Sequence, residues 1–289
     1  MKISVHITFY VKNKKKIDFN KLNKTIKNYL TLSKKTYIYV HTNVKIKKKS
    51  KFITFINYNL EKEDPLKLSW KCRPLMKKQK NLFDYFIYSE DDIIFKKRNF
   101  NAWFKLKDIC IKNNFNLGFL RTEIKKDSLN LWSIDQPKQL DRSLIIDGQQ
   151  FIVLENPYCA MWIYDKKEFG NFIKSEYWNL ENWLGDNHYT NLKTREKSAI
   201  GWNGLNMKRY KASIVPIKNF RILNEFYLNH QGDKYIKFGP FSIKVNQLIN
   251  RKLKHCEDIK ENLFELFYLR IKFFYRKYLK INLKNYKSN

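Results

Sequence analysis

Apolar positions along this chain fall into two alternating rhythms. Ile3 to Tyr10, Thr36 to Asn43 and Phe52 to Tyr58 are short β-branched and aromatic runs, and each predicts a strand. Between the first two, Asp18 precedes Phe19, Leu22, Ile26, Tyr29 and Leu30, a spacing that lines one helical face behind a side-chain cap. Asp64 and Pro65 offer a second helix start, an acceptor at the cap followed by a ring that lacks the N–H left unpaired there. That helix carries Leu66 and Trp70, and Pro74 should end or kink it. Tyr85 to Ser89 then reads as strand, Phe100 to Ile111 as helix and Leu117 to Arg121 as strand.

Strand alternating with helix over residues 1 to about 121 predicts an α/β fold with a Rossmann-type, mainly parallel sheet flanked by helices. Beyond it, "FIVLE" and "AMWIY" surround the turn-forming Asn156–Pro157–Tyr158 and suit an antiparallel extension. Helices are expected around Lys166 to Phe172 and Arg195 to Gly201. There is no internal repeat and no Gly/Ser linker. One domain over 1–240 follows, with halves at about 1–123 and 124–240, then a basic, helical C-terminal appendage over 241–289.

Charge changes the picture less than its size suggests. The formal net charge is +31, but it comes from 48 Lys and only 10 Arg spread over the whole chain. Asn, Ile, Phe and Tyr are abundant, a pattern of compositional drift more than of phosphate recognition. Nucleic acid is therefore the less favoured partner. Cys72, Cys110, Cys159 and Cys256 form no CxxC pair and read as reduced, buried thiols. The N-terminal run is broken by His6 and Thr8 and reads as a strand, not a signal peptide. No stretch has the length and apolarity of a membrane span. A cytoplasmic protein is expected.

The chemistry is concentrated in "YSEDDI", where Glu90, Asp91 and Asp92 follow a buried strand in a chain poor in acids. Open parallel sheets bind ligands beyond the carboxyl ends of their strands, which is where this triplet falls. Three readings are open: a charged turn or helix cap, a pair of hydrolytic carboxyls, or a site for a hard divalent cation. Strand alternation points Glu90 and Asp92 to one side and Asp91 to the other. One metal then reaches the first and third acids, leaving Asp91 for a sugar hydroxyl.

An apolar strand ending in Glu-Asp-Asp inside an N-terminal α/β half resembles the DXD motif of GT-A-type glycosyltransferases. The segments "LSWKCRPLM", "YFIYSEDDIIF", "LGFLRTE", "NPYCAMWIYDKKEF", "REKSAIG" and "NHQGDKY" run in order over Leu68 to Tyr235. Together they resemble a bacterial branch of sugar transferases acting in polysaccharide or lipopolysaccharide synthesis. The resemblance implies a nucleotide-diphosphate sugar as donor, with Mn²⁺ or Mg²⁺ bridging its diphosphate. It implies Asp92 as the metal-binding last acid, Glu90 at the first position and Asp91 in the middle. Glu in place of the usual first Asp is a departure from the motif. His230 takes the place of the second metal ligand, which would favour manganese. For an inverting reaction Glu196 is the candidate general base and Asp186 the runner-up, although Glu196 is also well placed simply to complement a helix N-terminus. Lys71 and Arg73, beside Trp70, are the cations expected to meet the diphosphate, Arg73 through its planar fork.

Arg270 to Asn289 contains no acid and interleaves Phe273, Phe274, Tyr275 and Tyr278 with Lys and Arg. Such a segment suits either an anionic membrane surface or packing on the domain. The function expected is a metal-dependent glycosyltransferase working on a glycan or lipid-linked acceptor at the cytoplasmic face of a membrane. Its rivals are a basic nucleic-acid-binding protein and a metal-dependent nuclease or phosphatase.

Overall fold

A computed structural model describes residues 1–47, 50–125, 129–179, 193–202, 212–239 and 241–255 of the 289-residue chain. The strands are β1 (Ile3–Phe9), β2 (Thr36–Thr42), β3 (Ile53–Asn57), β4 (Tyr85–Glu90), β5 (Ile93–Ile94), β6 (Asn116–Leu117), β7 (Leu120–Ile124) and β8 (Leu131–Ser133). They continue as β9 (Leu140–Ile146), β10 (Gln149–Val153), β11 (Met161–Asp165), β12 (Ser213–Lys218), β13 (Arg221–Ile222), β14 (Tyr227–His230), β15 (Ile243–Lys244) and β16 (Ile249–His255). The helices are α1 (Asn20–Leu30), α2 (Leu68–Lys71), α3 (Arg73–Lys78), α4 (Lys97–Lys112), α5 (Lys166–Lys174), α6 (Thr194–Ile200) and α7 (Lys234–Phe238).

The first sheet runs β11-β4-β1-β2-β3. β4, β1, β2 and β3 are parallel, and β11 adds an antiparallel edge against β4. This is the expected α/β, Rossmann-type sheet; of the two runs expected to extend it, "AMWIY" does so as β11, while "FIVLE" pairs in a separate sheet as β10. β1 is buried at every position, as a strand covered on both faces must be. α1 covers β2 and reaches β5, and α5 lies against β4 and β11. The rings of Phe86 and Phe169 stack at 3.9 Å where α5 meets the sheet. Both are fully buried, and burial of each contributes about 1.5–3 kcal/mol.

Two smaller sheets complete the fold. One runs β13-β12-β10-β9-β16 with β6 beside β12, and the other runs β15-β8-β7-β14-β5. The single strand expected over Leu117 to Arg121 is divided between them, β6 joining the first and β7 the second. The division falls at Gly118, where a Cβ would stand 3.1 Å from that of Ser213, a tight approach that glycine makes without displacing its neighbour. Pro74, expected to close a helix, instead opens α3 in its first turn, where a missing N–H costs nothing.

The appendage expected from residue 241 begins as strand. β15 pairs with β8 and β16 with β9, so backbone partners in existing sheets override the local helical pattern. Residues 256–289, with the basic stretch 270–289, lie outside the described residues. Cys72, Cys110 and Cys159 are buried and free. Among the described residues no helix is long and apolar enough to cross a membrane.

Candidate functional site

Strand register assembles the acidic site. β4 stops at Glu90, the chain turns through Asp91 and Asp92, and β5 follows at once. β5 pairs antiparallel with β14, setting His230 opposite Ile93, and the backbone N–H of Gln231 donates to the Asp92 carbonyl at 2.8 Å. β14 also lies parallel to β7, with Asn229 opposite Thr122. That ladder brings Glu123 beside His230. Thr25 of α1 fastens the turn by donating its hydroxyl to the Asp91 carbonyl at 2.8 Å.

His230 stands between two carboxylates. Its Nε2 is 3.0 Å from Asp92 Oδ2, and its Nδ1 is 2.7 Å from Glu123 Oε1. Glu123 Oε2 accepts from the backbone N–H groups of Tyr235 and Ile236, both at 3.0 Å. Burial by itself would lower the pKa of His230, but the contacts to Asp92 and Glu123 outweigh it and lift the value to about 9. Burial likewise works to raise the carboxyls of Asp92 and Glu123, and hydrogen bonding to His230 brings both below the usual range. Asp91 is pushed up to about 7, first by burial and then by the charges of Asp92 and Glu90.

Glu90 faces a different set of partners. The strand ends at Glu90, so the alternation expected to carry Glu90 and Asp92 to one side does not continue past it. Glu90 Oε1 accepts from the Tyr158 hydroxyl at 3.1 Å and lies 3.4 Å from Arg195 Nε. Its backbone N–H donates to the Ala160 carbonyl at 3.0 Å. Ala160 holds φ at 60°, a left-handed conformation that costs an alanine about 1 kcal/mol and that the surrounding sheet imposes. Arg121 lies deeper. Its Nε and Nη2 reach the two oxygens of Asp135 at 2.7 and 2.6 Å, and its guanidinium is sandwiched by Tyr158 at 4.7 Å and Tyr235 at 4.8 Å.

The cations expected at the diphosphate are placed elsewhere. Arg73 is 3% exposed. It donates to the carbonyls of Tyr177 at 2.7 Å and Ser198 at 3.2 Å, with its guanidinium over the rings of Trp70, Phe172 and Trp178. Burial lowers its pKa to about 10. Arg73 is thus a structural cation whose Nη groups bond buried carbonyls and whose flat face lies on aromatic rings, and the diphosphate role is corrected. Lys71 pairs with Glu63 at 2.8 Å, and Trp70 Nε1 donates to the Thr194 carbonyl at 2.8 Å. Trp70 thereby holds the flank of α6. Glu196 Oε2 accepts the backbone N–H of Lys193 at 2.8 Å, closing the first turn of α6. Asp186 lies outside the described residues.

Arg121, Glu123, Asp135 and Arg195 join the site without having been singled out as functional, and Tyr158 joins them from the Asn156–Pro157–Tyr158 turn. All but Asp135 lie within "LGFLRTE", "NPYC" and "REKSAIG", and a buried Arg-x-Glu on a β-rich run was the available signal. Alternation puts Arg121 and Glu123 on one face of a strand.

The donors suit a divalent cation only as a pair. Asp92 Oδ1 is buried without a hydrogen-bond partner, and the imidazole of His230 faces the other oxygen of the same carboxyl. Among the described residues no group of three or more His, Cys, Asp or Glu side chains is arranged to hold a metal ion. One carboxylate and one imidazole match sites that draw their remaining ligands from water and substrate phosphates. Glu90, bonded to Tyr158 and Arg195, is not part of that pair.

No protein-family model matches the chain. No curated protein matches it either. Among solved structures, 4-diphosphocytidyl-2C-methyl-D-erythritol synthase from Anaerococcus prevotii DSM 20548 is similar over 60% of this chain and 74% of its own. The identity is 12% and the TM-score 0.31, too slight a likeness to support an argument about activity.

Proposed function

We propose that this protein is a divalent-metal-dependent glycosyltransferase that moves a sugar from a nucleotide-diphosphate donor to a glycan or lipid-linked acceptor. The observation that carries the reading is the Asp92–His230 pair at the carboxyl end of β4, backed by Glu123 and left with one unpartnered carboxylate oxygen. Asp92 and His230 would hold the metal once His230 Nε2 gives up the proton it shares with Asp92, and the imidazole favours Mn²⁺ over Mg²⁺. When bound, the cation would stabilise the negative charge that develops on the leaving diphosphate.

The chain's own residues do the rest. An open cavity of about 410 Å³ at the carboxyl ends of β1, β2 and β3, lined by Ile17, Asn43, Asn57 and Tyr58, suits the nucleoside. Asp91, in the turn between Glu90 and Asp92, is suited to hold a sugar hydroxyl. In an inverting course Glu196 is the base to test first. An acceptor in cell-surface polysaccharide synthesis is consistent with the resemblance.

The test is thermal stabilisation of the full chain by a panel of nucleotides and nucleotide sugars, with and without Mn²⁺ or Mg²⁺. A ligand at 100 times its Kd adds about 2.7 kcal/mol of stability. The expected result is a metal-dependent rise in melting midpoint with one class of nucleotide diphosphate, absent in Asp92→Ala. No response to any nucleotide would overturn the reading.

A further inference from the structure

Two exposed cations border the acidic site once the metal pair is accounted for, Lys21 of α1, whose charge Asp91 and Asp92 feel, and Arg195, which makes an ion pair there. Arg195 is the second residue of α6, and 41% of its side chain is accessible while its Nε stands 3.4 Å from Glu90 Oε1. Arg121 is 4% accessible and spends its fork on Asp135. Arg73 is spent on carbonyls. Among the described residues, Arg195 is the arginine that combines exposure with direct contact to the acidic turn.

Its position is built, not incidental. Glu90 is a nearly buried side chain, fixed by the Tyr158 hydroxyl on the same oxygen that meets Arg195. α6 is tied to α2 at two further points. Trp70 Nε1 donates to the Thr194 carbonyl at 2.8 Å, and the Ser198 hydroxyl donates to the Ser69 carbonyl at 2.9 Å. Beyond its far end, Gly201 holds φ at 69° where a Cβ would lie 2.7 Å from Trp162, so the exit of the helix is fixed as well. The rotamer entropy that a free surface arginine loses on binding an anion is thus partly lost already. The ion pair engages Nε, and the four N–H bonds of the two Nη groups remain as donors.

We propose that Arg195, oriented by Glu90 and Tyr158, is the phosphate-binding residue of the site and grips the donor's diphosphate. The identification of the anion as a donor diphosphate rests on the glycosyltransferase reading; the phosphate chemistry does not. A diphosphate offers two anionic groups, one for a cation held by Asp92 and His230 and one for a planar guanidinium fork. Glu90 then acts as a positioning residue, and its place at the head of the acidic motif serves Arg195 instead of the metal.

The probe is inorganic pyrophosphate, titrated calorimetrically into the full chain with Mn²⁺ present. Uridine, cytidine, adenosine and guanosine serve as uncharged comparisons. Arg195→Gln is expected to weaken pyrophosphate about 10- to 100-fold while leaving any nucleoside affinity unchanged, and Arg195→Lys to recover part of the loss. Arg98→Gln, an exposed change of the same charge with no contact to the acidic turn, should leave binding within about twofold. Melting curves show that each variant is folded, and the Lys variant keeps the charge should the Gln variant melt early. Pyrophosphate affinity that is absent in the wild type, unchanged in Arg195→Gln, or reduced equally in Arg98→Gln would overturn the assignment. Arg195-dependent pyrophosphate binding with no response to any nucleotide would leave Arg195 in place and overturn the glycosyltransferase reading instead.

Discussion

His6 and His230 are buried almost equally, at 0% and 6% exposure, yet burial holds His6 neutral while carboxylates hold His230 charged. His6 sits in the middle of the parallel sheet. Its Nδ1 is 2.8 Å from His41 Nε2, and His41 Nδ1 is 2.9 Å from the Tyr58 hydroxyl, which donates to the Lys71 carbonyl at 3.1 Å. Between the two rings one nitrogen must donate and the other accept, so His6 and His41 cannot both be protonated. Burial takes the pKa of His6 down to about 3 and, with His6 as neighbour, lowers that of His41. His230 meets carboxylates at both nitrogens and is raised to about 9. Burial alone therefore does not set the charge of a histidine. The chemistry of the atoms facing its two nitrogens does.

Removing both carboxylates around His230 should break that contrast most completely. In Asp92→Asn combined with Glu123→Gln, the imidazole loses both anionic partners while keeping its burial. Its midpoint, followed by NMR of the ring protons, should fall from about 9 to below 6.5. A midpoint that stays near 9 would show that some other group holds the charge.

Glu123→Gln alone probes the metal reading. Glu123 fixes the Nδ1–H of His230 and leaves Nε2 to face Asp92, the usual arrangement behind a metal-bound imidazole. Mn²⁺ affinity by calorimetry should drop about 10- to 100-fold. Unchanged affinity would remove His230 from the ligand set.

The two histidines also pull stability in opposite directions with pH. The unfolded chain protonates His6 near 6.5 whereas the folded chain resists until about 3. The stability this supplies is complete above about 6.5 and is lost as pH falls, on the order of 2 kcal/mol by pH 5. His230 does the reverse: its contribution is present below about 6.5 and is lost as pH rises through about 9. Urea unfolding at pH 7 and pH 5 should show a smaller acid loss for His6→Gln than for the wild type. Equal losses would show that His6 does not report the acid limb.

The smallest effect belongs to Tyr58→Phe. The change deletes the hydroxyl that accepts from His41 and donates to the Lys71 carbonyl, at a cost of about 1–2 kcal/mol in unfolding free energy. A variant as stable as the wild type would mean that the row of hydrogen bonds closes without Tyr58.

The sequence by itself determined the parts of this protein that depend on short-range pattern. The parallel sheet followed from runs such as Ile3 to Tyr10 and Tyr85 to Ser89, because period-two and period-3.6 patterns are local properties. The helix over 97–112 was legible in the same way, and so was the capping acceptor Asp64, which receives the N–H of Leu66 at 2.9 Å. The acidic turn after β4 was visible as a cluster of acids in a basic chain.

What only the tertiary structure decided is how each charged side chain is used. Arg73 and Arg195 are the same residue type near the same site, yet one is sealed among carbonyls and rings while the other borders the acids. Glu90 and Asp92 stand two positions apart and face different partners because the strand stops between them. The Glu123–His230 contact spans 107 residues and exists because β14 adds to β7. Burial and partnership are set by the distant segments that arrive at a residue, and local pattern carries no record of them.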